Sequence, residues 1–201
     1  MKKKKYKNKY RIDSHRMKGW DYSANGFYFI TICVQNMRCI FGHIINGEMI
    51  LSEFGKIADD EWHKSFEMRQ ELILHQFILM PNHLHAIIEI CGIAHSRDAR
   101  PCVSAVRNPA NSGIAIRKPK SISSFIAGYK SATINKIDDY IDEITPINGH
   151  PPFRKYNRKN PLWQANYHDH IIRDYRAYYN ISNYIINNPR KWSEDKFYGK
   201  K

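Results

Sequence analysis

The stretch from Phe77 to Ile90, Phe-Ile-Leu-Met-Pro-Asn-His-Leu-His-Ala-Ile-Ile-Glu-Ile, narrows the possible folds more than any other part of the chain. It is apolar and rich in isoleucine, and Pro81-Asn82 interrupts it, so it reads as two strands meeting at a kink or turn. Side chains alternate across a strand, which puts His83 and His85 on one face and Leu84, Ala86 and Ile88 on the other. Two imidazoles then stand side by side on a backbone pinned by buried neighbours, as a metal site requires. The spacing alone is a weak signal, because the chain has 10 histidines and a second His-x-His occurs at His168-Asp169-His170. The setting of the first pair is what separates it from the second.

Around this run the periodicities alternate between strand and helix. Gly26 to Val34 reads as a buried strand, and Asn46-Gly47 marks a hairpin between two short strands within Arg38 to Ser52. Ser52 is placed to cap a helix from Glu53 to about Met68, with Ala58, Trp62 and Phe66 as its apolar stripe and Ile57 beside them. Leu72 to Met80 is a strand. Ser121 to about Tyr140 reads as a second helix, with a stripe through Ile122, Phe125, Ile126, Tyr129, Ala132, Thr133 and Ile137. Tyr167 to Ile172 reads as a last strand. Asp174 caps a last helix from Tyr175 to Asn188, which Pro189 ends. This order predicts an α+β fold: one antiparallel sheet of ferredoxin-like type with helices packed on one face.

The length of 201 residues suits a single domain. The reading is a basic arm at 1–19, one domain at 20–192 with insertions at about 92–120 and 141–162, and a basic tail at 193–201. A formal charge of +13 points to a polyanionic partner, and seven of the first eleven residues are Lys or Arg, Lys4 and Lys5 among them. The chain also carries 13 tyrosines, many beside basic residues. Aromatic rings among cations suit unpaired, stacking bases better than a closed duplex. Cys33, Cys39, Cys91 and Cys102 show no metal-binding spacing, and Cys33 and Cys91 fall in apolar strands as reduced thiols. Neither a signal peptide nor a membrane-spanning run is evident, which leads to the expectation of a cytoplasmic protein without a membrane partner.

The last helix supplies the remaining chemistry. In Tyr184-Ile-Ile-Asn-Asn188-Pro189, Tyr184 and Asn188 are four residues apart and share a helix face. Two histidines and an amide oxygen form a donor set without thiolate, better matched to Mg²⁺ or Mn²⁺ on a phosphate than to a structural zinc site. Tyr184 would be the nucleophile. Tyr129, beside Lys130 on the second helix, is the rival, though no polar ligand sits at the matching offset. Lys130 and Arg173 are candidate phosphate contacts.

Met80-Pro-Asn-His-Leu-His85 resembles the His-hydrophobic-His signature of the single-tyrosine (Y1) transposases of the IS200/IS605 type. Tyr184-Ile-x-x-Asn-Pro189 resembles the tyrosine helix of their REP-associated branch. Supporting matches are Trp20-Asp-Tyr-Ser, Gly26-Phe-Tyr-Phe-Ile-Thr-Ile32, Phe41-Gly42, Trp163-Gln and Tyr167-His-Asp-His-Ile-Ile-Arg173. The resemblance implies an HUH endonuclease fold and a transposase that nicks and joins single-stranded DNA at or near hairpins. Metal ligands would be His83, His85 and Asn188. Tyr184 would carry the 5′-phosphate and leave a free 3′-hydroxyl. The protein would act as a monomer or a homodimer. The alternative is a domesticated protein that binds DNA hairpins without cutting them; an RNA-binding ferredoxin-like protein is a third reading.

Overall fold

A computed structural model describes residues 16–17, 19–92, 119–147 and 149–199. Lys4, Lys5 and most of the 92–120 segment lie outside the described residues. The strands are β1 (Gly26–Cys33), β2 (Gly42–Ile45), β3 (Glu48–Leu51), β4 (Leu72–Met80), β5 (His83–Ile90) and β6 (His168–Ile172). The helices are α1 (Glu53–Glu67), α2 (Ile122–Glu143) and α3 (Tyr175–Asn187).

Four strands form one sheet in the order β4-β5-β1-β6, and every neighbouring pair is antiparallel. Taken with α1 and α2, this is the β-α-β-β-α-β arrangement of the ferredoxin-like fold, with the β2-β3 hairpin inserted after β1. Asn46 and Gly47 both have positive φ, at 50° and 78°, the backbone that a tight two-residue hairpin turn demands.

Local chemistry accounts for the helix starts. Ser52 accepts from the Gly55 N–H at 3.1 Å. At α2, Ser121 and Ser124 cap one another reciprocally, each side chain taking the other's backbone N–H. Asp174 accepts from the Ala177 N–H at 2.8 Å at the start of α3. The second helix runs to Glu143, one turn beyond the expected end near Tyr140, because Ile141 extends the same buried stripe.

The core lies between one sheet face and α1 and α2. Tyr28, Ile30 and Ile32 of β1 and Leu84, Ala86 and Ile88 of β5 meet Ala58, Trp62, Phe125 and Tyr129 there, all buried. The expectation of helices on one face holds for α1 and α2 but not for α3. The opposite face carries Phe27, Phe29, Ile78, Ile87 and Ile172, and such a surface needs cover. The α3 stripe of Tyr178, Ile181 and Ile185 supplies it. The sheet is therefore sandwiched, and α3 lies over the histidine side of β5.

Candidate metal and tyrosine site

The site starts from strand alternation. With Leu84, Ala86 and Ile88 in the core, His83 and His85 must face α3, and both are buried. Their Nε2 atoms stand 3.0 Å apart. Each ring is held by its other nitrogen: His83 Nδ1 pairs with Asn82 Oδ1 at 2.8 Å, and His85 Nδ1 with Thr31 Oγ1 at 2.8 Å. Since an amide oxygen only accepts, His83 carries its proton on Nδ1 and turns the Nε2 lone pair inward. Phe29 stacks on His85, and Phe197 leans on His83 with ring centroids 4.6 Å apart.

Asn82 is a joint between distant parts of the chain. Its amide nitrogen donates to Met37 O at 3.2 Å and to Phe197 O at 3.0 Å while its oxygen holds His83. Burial drives both imidazoles toward the neutral form. It lowers His83 to about 4 against an opposing pull from Asp195, and it holds His85 well below the usual imidazole range with help from His83. Neutral imidazole is the metal-binding form.

Helix α3 brings Tyr184 to this pair. Its hydroxyl lies 3.1 Å from His85 Nε2 and donates to Asp195 Oδ2 at 3.1 Å. Burial first, then the Asp195 charge, pushes the phenol up to about 12. Asn188, one turn on and itself buried, donates its amide to the same Asp195 oxygen at 3.0 Å. That leaves Asn188 Oδ1 buried without a hydrogen-bond partner, a costly condition for a carbonyl oxygen.

These groups fit a metal ion. His83, His85 and Asp195 offer ligand atoms that all lie within 4.8 Å of one another. Two ligands at right angles on a hard divalent ion, with bonds of about 2.1 Å, sit roughly 3 Å apart, and the imidazole nitrogens already have that spacing. The unpartnered Asn188 oxygen accepts no hydrogen bond, so its lone pairs are available to a cation.

The other expected contacts fall elsewhere. Lys130 is on the core-side helix α2, where its ammonium donates to Gln164 O at 2.7 Å and to Asn166 O at 3.3 Å, so it braces a loop. Arg173 is exposed at the start of α3, with Nη2 3.4 Å from Met17 Sδ. Tyr129 is buried in the core, on the sheet face opposite the histidines, and donates to Ala58 O at 3.2 Å. Burial raises its pKa strongly, and its hydroxyl is turned away from the histidine pair. His168 and His170 are exposed on edge strand β6 and join no metal-competent group among the described residues. Asp195 was not anticipated. It falls in the stretch read as a basic tail, and its one signal is an acidic residue just beyond the Pro189 helix stop.

Comparison with known proteins agrees with this architecture. A REP-associated tyrosine transposase, solved bound to a REP hairpin, superposes with a TM-score of 0.54 at 15% sequence identity, over 92% of this chain and 77% of the other. The fold is thus that of a Y1 transposase. An uncharacterized protein of Haemophilus influenzae is 33% identical over 185 residues, covering 92% of each chain, and this chain belongs to the family that protein represents. No model of a protein family matches the sequence.

Proposed function

We propose that the protein is a metal-dependent single-stranded DNA endonuclease and strand transferase that works at or near hairpins through a 5′-phosphotyrosine. The observation carrying this reading is the Tyr184 hydroxyl, 3.1 Å from His85 Nε2 and 3.1 Å from Asp195 Oδ2. A nucleophile in reach of a metal-competent pair and of a carboxylate is the arrangement that phosphoryl transfer needs. The DNA-hairpin complex of the REP-associated transposase, on the same fold, supports the substrate class.

His83 and His85, with Asn188 Oδ1 or Asp195 completing the set, would hold Mg²⁺ or Mn²⁺. The chemistry such an ion supplies when bound is charge withdrawal from a non-bridging phosphate oxygen. The remaining steps belong to the chain. Asp195 Oδ2 takes the phenolic proton as the Tyr184 oxygen bonds to phosphorus. The bond from phosphorus to the 3′-oxygen breaks, and that oxygen leaves as a free 3′-hydroxyl after taking a proton from water. Asn188, donating to the same carboxylate oxygen, keeps Asp195 aimed at the phenol. Pushed up to about 12, the Tyr184 phenol stays protonated in the free protein, so its proton must pass to Asp195 as the bond to phosphorus forms.

The test is a denaturing gel with Mn²⁺ and hairpin oligonucleotides bearing single-stranded flanks. A protein–DNA adduct that disappears in Tyr184→Phe is expected. Hairpin binding without any adduct would overturn the nuclease reading in favour of a non-cutting binder.

A further inference from the structure

A cavity stands apart from the histidine pair. It encloses about 750 Å³ on the core-helix side, between the start of α1, the end of α2 and the 150–160 loop. Four aromatic rings line it: Phe54, Tyr140, Phe153 and Tyr156. Phe54 is their hub. Tyr140, Phe153 and Tyr156 each stand edge-on to it, with centroids 6.1, 5.0 and 6.5 Å away. Phe153 remains half-exposed, so one ring face is open to a guest.

Charge identifies the guest. An aromatic box of this kind often takes an organic cation. Here that is disfavoured, because Arg38 and Arg154 stand on its wall and the Arg38 guanidinium already lies 5.7 Å over the Tyr156 ring. The one acid lining it, Glu53, is neutralised by Lys56 at 2.6 Å. Flat ring surfaces beside guanidinium groups that form no ion pair among the described residues match a flat, anionic ligand. A nucleotide has both parts: a base to stack and a phosphate for arginine to hold.

Position connects the cavity to the tyrosine site. Arg38 directly follows Met37, whose carbonyl accepts from the Asn82 amide, and Asn82 in turn holds His83. The wall of the cavity therefore begins one residue from the mount of the first histidine.

We propose that this cavity is a subsite for an unpaired nucleotide of the DNA strand, with its base on Phe153 and its phosphate on Arg38 and Arg154. The proposal rests on the nuclease reading and adds to it a recognition site on the opposite side of the sheet from the nucleophile. Cys39 lies in the cavity wall as an exposed free thiol, which gives a direct reporter.

Two measurements on the full chain test it. Fluorescence anisotropy compares a hairpin oligonucleotide carrying a single-stranded extension with the same hairpin made blunt. In Phe153→Ala, affinity for the extended hairpin should fall about tenfold, the scale of one lost base stack, while the blunt hairpin binds as before. Iodoacetamide labelling of wild-type Cys39, read by peptide mass spectrometry, should slow when the extended oligonucleotide is bound. Unchanged affinity of Phe153→Ala for the extended hairpin, with Cys39 labelled as fast as in free protein, overturns the subsite and leaves cleavage by Tyr184 standing. Protection of Cys39 by free thymidine monophosphate but not by the oligonucleotide would also overturn it, in favour of a mononucleotide site. A wild-type protein that binds neither oligonucleotide removes the nuclease reading, and the subsite with it.

Discussion

The two faces of strand β5 have opposite chemistry within eight residues. Toward α1 and α2 it buries Leu84, Ala86, Ile88 and Ile90 in a continuous apolar core. Toward α3 it buries His83 and His85, together with Asn188 and the joint residue Asn82. The first face gains stability from the apolar area it hides, although Trp62 and Trp163 bury ring nitrogens there without a partner. The second hides polar groups that each require a partner, and the Asn188 oxygen has none. The contrast indicates a division of labour: the core face fixes the strand so firmly that its other face can hold groups unfavourable for stability but needed for chemistry.

The sharpest way to separate the faces is Tyr184→Phe. Adduct formation should fall by about ten-thousandfold or more, near 5 kcal/mol in the barrier, while the melting temperature barely moves. A variant that still cuts would assign the chemistry elsewhere. Trp62→Ala attacks the other face. It removes a fully buried ring that packs against Phe66, Phe77, Phe125 and Tyr129, and should cost about 3–5 kcal/mol in denaturant unfolding. His83→Ala comes next. Saturating Mn²⁺ should stabilise the wild type by roughly 2–3 kcal/mol at a hundredfold excess over its dissociation constant, and that increment should vanish in the variant. Calorimetry that finds the same Mn²⁺ shift in both would reject the histidine pair as a metal site.

Smaller effects sharpen the comparison. Asn188→Ala should weaken Mn²⁺ binding about tenfold, roughly 1.4 kcal/mol, yet change metal-free stability by no more than about 1 kcal/mol, because losing the hydrogen bond to Asp195 is offset by removing a buried oxygen that had no partner. Titration calorimetry set beside urea unfolding reads both numbers. Tyr129→Phe removes only the hydrogen bond to Ala58 O and should cost about 1 kcal/mol with cleavage intact.

The core face was almost wholly legible in the sequence, because alternation along β5 and the four-residue spacing of Ala58, Trp62 and Phe66 are direct consequences of strand and helix geometry. The bounds of β4 and the caps at Ser52 and Asp174 followed from equally local chemistry. The site face was legible in part. His83, His85, Tyr184 and Asn188 were readable from their spacings and from resemblance, and the structure brings all four together. Asp195, Thr31 and Asn82 were not anticipated as site residues, since their roles arise from contacts between segments far apart in sequence. The bonds of Lys130 were hidden for the converse reason: a surface cation on a helix carries no mark of the loop carbonyls it holds. The placement of α3 on the second face was also hidden, because an amphipathic helix states that it needs a surface but not which one.

Tyr184 is 99 residues beyond His85, and Asp195 and Phe197 come later still. At translation rates of roughly 5–20 residues per second, the histidines leave the peptidyl-transferase centre about 5–20 s before the tyrosine does. During synthesis the sheet and α1 can form around a half-built site that has no nucleophile. On the proposed function, a nascent chain is therefore inert toward DNA until the final turn of α3 and the few residues after it are in place.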